Sequence, residues 1–209
     1  MPSRPAHTIA LACHPGSSAA GMTGVSARLA RHPDGLLELS YVIDGDIGRL
    51  RVPAERAPSG RVPTAREARV ADRLWEHTCC EIFIACRGLS SYHELNFSPS
   101  GEWAVYAFER YRRRAAAASP DAAALAPRIT VRRTAARLEL DAAIRLERLS
   151  PAHRDAALAL ALAAVIEDRD GTLSYWALRH PPGRPDFHHA DGYALELGEA
   201  RASSAPAST

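Results

Sequence analysis

Lysine is missing altogether from this chain of 209 residues: its 26 basic side chains other than histidine are all arginine. That absence excludes Schiff-base chemistry and the lysine of a Walker-type phosphate loop. Glutamine is absent too, and Asn96 is the sole asparagine. A coding bias toward Ala, Arg, Gly and Pro accounts for these gaps without function, so Asn96 alone points weakly. Charge of one sign is also lacking. The formal balance of +2 is small and evenly spread, which argues against a nucleic-acid-binding stripe. The one basic cluster, "YRRR" at Tyr111 to Arg114, reads as a solvated strand end or loop. No apolar run reaches the length of a membrane span, and the one in "MPSRPAHTIALACHPG" is too short and interrupted for a secretory segment. A cytoplasmic protein without nucleic-acid or membrane contacts is expected, its oligomeric state open. Cys13, Cys79, Cys80 and Cys86 lack paired CxxC spacing and read as buried, reduced thiols.

What is present is a succession of short, alternating apolar runs punctuated by Gly, Pro and Asp, the pattern of an all-β, antiparallel sandwich with at most one or two short helices. "VSARLAR", "HPDG" and "LLELSYVIDG" read as strand, turn, strand, and "RITVRR" with "RLELDAAI" as a second hairpin. In "AALALALAAVIEDRDGTLSYWAL" helix propensity competes with a period of two at Leu158, Leu160 and Leu162. Period two, with the "EDRDG" turn, predicts a long hairpin. A short helix can start at Ser150 and Pro151. One domain over 1–198 and a disordered tail over 199–209 are expected.

Alternation also sorts side chains by sheet face. Read as one strand, "LWEHTCCEIFIAC" sends Leu74, Cys80, Ile82 and Ile84 to a core and Trp75, His77, Cys79, Glu81 and Phe83 to the other side. In "YHELNFSPSGEW" Leu95 and Phe97 point inward, and Tyr92, Glu94, Asn96 and Ser98 outward. Aligned, the outward residues form a polar and aromatic surface that suits a sugar, whose C–H face stacks on rings while carboxylates and amides bond its hydroxyls. "SYWALRHPPGRPDFHHADGYALEL" adds a loop beside a strand end that carries His180, Asp186, His188 and His189, the last two pointing opposite ways on an extended chain.

The blocks "LWEHTCCEIFIA", "YHELNFSPSGEWAVYAFERYR", "VIEDRDGTLSYWALRHP" and "PDFHHADGYALEL" resemble the bacterial DOMON-like proteins related to family 9 carbohydrate-binding modules, over about Leu74 to Leu197. The resemblance implies a β-sandwich with a ligand pocket on one sheet, for a sugar or haem; it does not imply catalysis. Aromatic residues clamp the ring in sugar-binding relatives, here Trp75, Trp103 or Trp176. Methionine and histidine hold the iron in haem-binding relatives. Besides the initiator this chain has only Met22, leaving His180, His188 or His189 as a bis-histidine alternative.

The reading is therefore a non-catalytic domain for a saccharide or sugar-containing metabolite, without cofactor. Trp75, Trp103 and Trp176 supply stacking area, and His77, Glu81, Tyr92, Glu94, Asn96, Arg179 and His180 complete the face. Asp186, His188 and His189 lie at its rim. Three rivals stand beside it: a glycosidase using Glu81 and Glu94, a zinc-assisted hydrolase using His180, Asp186 and His188, and a haem carrier.

Overall fold

The computed structural model describes residues 8–19, 21–52, 69–116 and 122–199, so the expected tail lies outside them apart from Glu199. Among the described residues thirteen strands run in chain order: β1 (Ile9–Cys13), β2 (Met22–Arg31), β3 (Leu36–Gly45), β4 (Arg69–Val70), β5 (Cys79–Cys86), β6 (Tyr92–Phe97), β7 (Glu102–Arg110), β8 (Arg113–Arg114), β9 (Arg128–Arg133), β10 (Arg137–Arg145), β11 (Leu158–Glu167), β12 (Leu173–Ala177) and β13 (Leu195–Leu197). The three predicted hairpins form as β2/β3, β9/β10 and β11/β12. At the first turn Gly35 has φ +81°, and a Cβ there would meet a Glu147 carboxylate oxygen at 2.7 Å, so "HPDG" needs its glycine. Helix is confined, among the described residues, to one-turn segments Ala122–Leu125 and Leu146–Leu149 and a few 3-10 turns. One of these, Pro151–Arg154, stands where Ser150 and Pro151 predict a helix start, although Ser150 makes no side-chain cap.

The strands form one sheet in the order β4-β7-β6-β5-β11-β12-β1-β2-β3-β10-β9, with β13 beside β11 and β8 beside β7. Pairing is antiparallel except at β4, which meets β7 in parallel. The sheet curls into a sandwich, with β1 joining its halves by pairing to β12 on one side and β2 on the other. Period two explains the packing: Leu37, Leu39 and Ile43 of β3 and Leu138 and Leu140 of β10 enter the same core as Ile82 and Ile84 of β5, Leu95 and Phe97 of β6 and Leu160 and Leu162 of β11. Each such burial stabilises by roughly 1.5–3 kcal/mol. Among the described residues no helix is long and apolar enough to cross a membrane. No cysteine is in a disulfide. Cys79 and Cys80 are buried as expected, whereas Cys13 and Cys86 are only partly so.

Three expectations about faces are corrected. Trp103 and Trp176 belong to the central core, 1% and 6% exposed, because Trp103 pairs across from core-facing Phe97, and Trp176 across from Ala164. Leu74 leaves the core side for a smaller cluster with Cys79 and Phe83. The reason is that Leu74–Glu76 is a 3-10 turn and not strand. Asp72 accepts from the Arg73 N–H at 2.9 Å, Arg73 sits at φ +62° and its guanidinium pairs with Glu76 at 2.5 Å. These local bonds outcompete extension.

Tyr41 of β3 spans the core, fully buried, to donate its hydroxyl to the Glu81 main-chain carbonyl of β5 at 2.5 Å. Tyr41→Phe is expected to lower stability by about 1 kcal/mol in urea unfolding, by unpinning the strand that carries Glu81.

Candidate functional site

The second half of the sandwich has another face, away from the core. Opposite residues of an antiparallel pair share a face, so the register Glu81↔Asn96, Phe83↔Glu94, Glu94↔Tyr106 and Glu81↔Ala163 gathers polar and aromatic groups from four strands. Trp75 and Phe187 arrive on loops and pack against this surface. Between them lies a cleft of about 370 Å3, lined by Trp75, Glu81, Glu94, Phe108, Arg112, Arg114, Val165, Tyr175, Pro185, Phe187 and His188.

Its floor is a chain of hydrogen bonds. The Tyr92 hydroxyl accepts from the Arg112 N–H at 3.1 Å, leaving its own proton for His188 Nδ1 at 2.8 Å. That assigns the ring proton to Nε2, which faces Glu94 Oε2 at 3.7 Å. Glu94 Oε1 accepts from Asn96 Nδ2 at 2.8 Å. Burial pushes the Glu94 carboxyl up to about 6, against the Asn96 amide and the charges of Arg114 and Arg112. Glu81 is raised well above the carboxylate range, first by complete burial and then by the neighbouring Glu94 charge, so it stays a neutral acid. Burial, then the Arg112 charge, lowers His188 to about 4, keeping the ring neutral.

The walls are aromatic and basic. Trp75 meets Tyr106 edge to face at 5.3 Å, and the Arg114 guanidinium lies 4.2 Å over the Tyr106 ring. Tyr106 in turn donates to Asp72 at 2.5 Å, tying the Trp75 turn to β7. Arg112 at φ +51° turns β7 back into β8, and its guanidinium pairs with Asp186 at 2.8 Å, which also accepts from the Tyr111 hydroxyl at 2.6 Å.

Of the predicted residues, Trp75, Glu81, Glu94 and His188 line this cleft, with Tyr92, Asn96 and Asp186 bonded directly to the lining or to its arginine. The others lie elsewhere. His77 turns to Glu167 at 2.7 Å, where Arg51 also pairs. Trp103 and Trp176 are in the core, the indole of Trp176 donating to Ser174. Arg179 is exposed and off the cleft. His180 is held by the Ala12 carbonyl at 2.8 Å and packs behind Phe187. His189 accepts from the Asp191 N–H, with its neighbour His188 turned into the cleft. His180, Asp186 and His188 form no metal constellation, and no group of three metal-ligating side chains exists among the described residues. Met22 is packed in the central core.

Sequence reasoning missed Arg112, Arg114, Phe108, Val165, Tyr175, Pro185 and Phe187. "YRRR" is exposed at a turn and strand end as expected, yet two of its arginines, Arg112 and Arg114, also line the cleft. Tyr175 was legible by strand alternation, since it points opposite to Trp176.

A pH test follows from Glu94. Its folded value of about 6 lies above the ordinary 4.5, so its contribution to stability is full below pH 4.5 and is lost as pH rises through 6. Glu94→Gln is expected to exceed the parent in stability at pH 8 by up to about 2 kcal/mol, with no advantage at pH 4, as measured by urea unfolding at both values.

No protein-family model matches the chain, and no curated protein sequence matches it significantly. Among solved structures it is similar to a Bacteroides uniformis protein assigned as carbohydrate-binding, with TM-score 0.59 and 16% identity over 90% of this chain and 84% of that one. It is also similar to a family 9 carbohydrate-binding module from Caldicellulosiruptor kristjanssonii, seen with glucose at TM-score 0.53 and 10% identity over 85% of this chain and 76% of that one. The same module with cellotriose gives TM-score 0.50 and 11% identity over 85% and 75%. At these identities the likeness establishes the fold, a β-sandwich of the kind found in family 9 carbohydrate-binding modules.

Proposed function

We propose that this protein binds a saccharide in the Trp75 cleft without transforming it. The observation that carries the reading is the pairing, in one cleft, of a wall made by the Trp75 indole and the Arg114 guanidinium with a floor of fixed hydrogen-bonding groups, the Glu94 carboxylate and the neutral His188. A pyranose offers the matching surfaces, an apolar C–H face and a rim of hydroxyls. Trp75 supplies the stacking area, Glu94 accepts from hydroxyls, and Arg114 and Arg112 donate to them. Tyr92, Asn96 and Asp186 hold those groups in position. Family 9 modules of the same fold that bind glucose and cellotriose support the reading, as does the DOMON-like resemblance of the sequence blocks.

The glycosidase alternative has one observation in its favour, a neutral acid beside an ionised carboxylate. Against it, Glu81 is 2% exposed and its Oε1 is sealed with no hydrogen-bond partner, poorly placed to reach a glycosidic oxygen. Nitrophenyl glycosides are therefore expected to remain intact in its presence, and turnover abolished by both Glu81→Gln and Glu94→Gln would replace binding by hydrolysis.

Tryptophan fluorescence tests binding directly, because Trp75 is the one indole lining the cleft while Trp103 and Trp176 are buried in the core. Titration with a panel of sugars and sugar nucleotides is expected to change the emission. Trp75→Phe should abolish that change, and Trp75→Ala should weaken binding at least tenfold by calorimetry. A response that persists in Trp75→Phe would move the ligand out of this cleft.

A further inference from the structure

We propose that the ligand is an amphipathic glycoside, its sugar in the Trp75 cleft and its apolar aglycone in a second groove on the far side of His188. The inference rests on the saccharide reading and extends it to the chemical class of the whole ligand.

The groove has a volume of about 610 Å3, within the range of sites that enclose a small organic molecule. Apolar groups dominate its lining, among them Ala85, Ala159, Tyr193, Leu89 and Tyr111. Leu89 is 60% exposed and Tyr111 55%; with Val70 they are the large apolar side chains that the described residues leave in water. Two of the three therefore flank one depression, where an apolar partner would cover them.

Continuity argues for an aglycone over an independent partner. His188 lines both spaces, and Tyr92, bonded to its Nδ1, lines the groove. Tyr111 joins them again from the outside through Asp186, which holds Arg112 in the cleft wall. Tyr193, which lines the groove, packs its ring 6.0 Å from Tyr92, so the groove wall is continuous with the residue bonded to His188.

Calorimetry with methyl and octyl β-glycosides of glucose, galactose and N-acetylglucosamine, the octyl compounds kept below micelle formation, tests the proposal. For at least one sugar the octyl glycoside is expected to bind ten times or more tighter than the methyl glycoside, since each buried methylene adds to affinity. Leu89→Asp, on an exposed loop, should remove that preference and leave the methyl glycoside unaffected. Equal affinities of methyl and octyl forms would overturn the aglycone groove and leave the saccharide reading intact. Binding of no glycoside at all would end both. Octyl binding that is indifferent to Trp75→Ala would show a site for the chain alone, and the joint ligand would fall with the saccharide reading.

Discussion

A pleated strand has no neutral position, and in β5 and β6 that geometry assigns each side chain either to the central core or to the face that carries the cleft. Ile82, Ile84, Leu95 and Phe97 take the first course, and Glu81, Glu94 and Asn96 the second. A one-residue slip in register would reverse the two sets and bury three polar groups in the sandwich. The Tyr41 hydroxyl crosses that sandwich to the carbonyl of Glu81, so the packing of the core also positions the floor of the cleft. Fold and site are in this sense one constraint seen from its two sides.

The floor is expensive to maintain. Glu81 is held as an acid and Glu94 sits well above its ordinary range, both because water is kept away. Asn96 relieves part of this by donating to Glu94, and the Tyr92 to His188 contact leaves a ring N–H facing the same carboxylate. Every proton in that sequence of contacts has an assigned direction, which gives Glu94 a fixed orientation. Such preorganisation suits recognition of hydroxyls, where the gain comes from groups that do not have to reorder on binding.

The walls obey a different logic, because loops and turns set them and alternation does not. Trp75 reaches the cleft on a 3-10 turn closed by Asp72, Arg73 and Glu76, and then by the Tyr106 hydroxyl on Asp72. Arg112 reaches it from a left-handed turn between β7 and β8, held across the molecule by Asp186. Neither placement can be read by counting residues along a strand. The expectation for Trp75 had the right face for the wrong reason, and its neighbours Leu74 and His77 went elsewhere.

By itself the sequence determined most of the long strands, the three hairpins and the inward and outward sets of β5 and β6, because period-two patterning and turn residues are local signals. It also singled out Glu81, Glu94 and Asn96 as companions, since alternation puts them on the outward face of two strands that neighbour each other in the chain. Trp103 and Trp176 fill the sandwich opposite Phe97 and Ala164, their partners in neighbouring hairpin strands, so their inward places follow from local register. Only the tertiary structure decided that Trp75 stands at the cleft, carried there by a 3-10 turn tied to Tyr106 through Asp72. The same holds for Arg112 and Phe187, whose places depend on contacts between segments far apart in the chain, and long-range packing leaves no periodic mark on the residues it brings together.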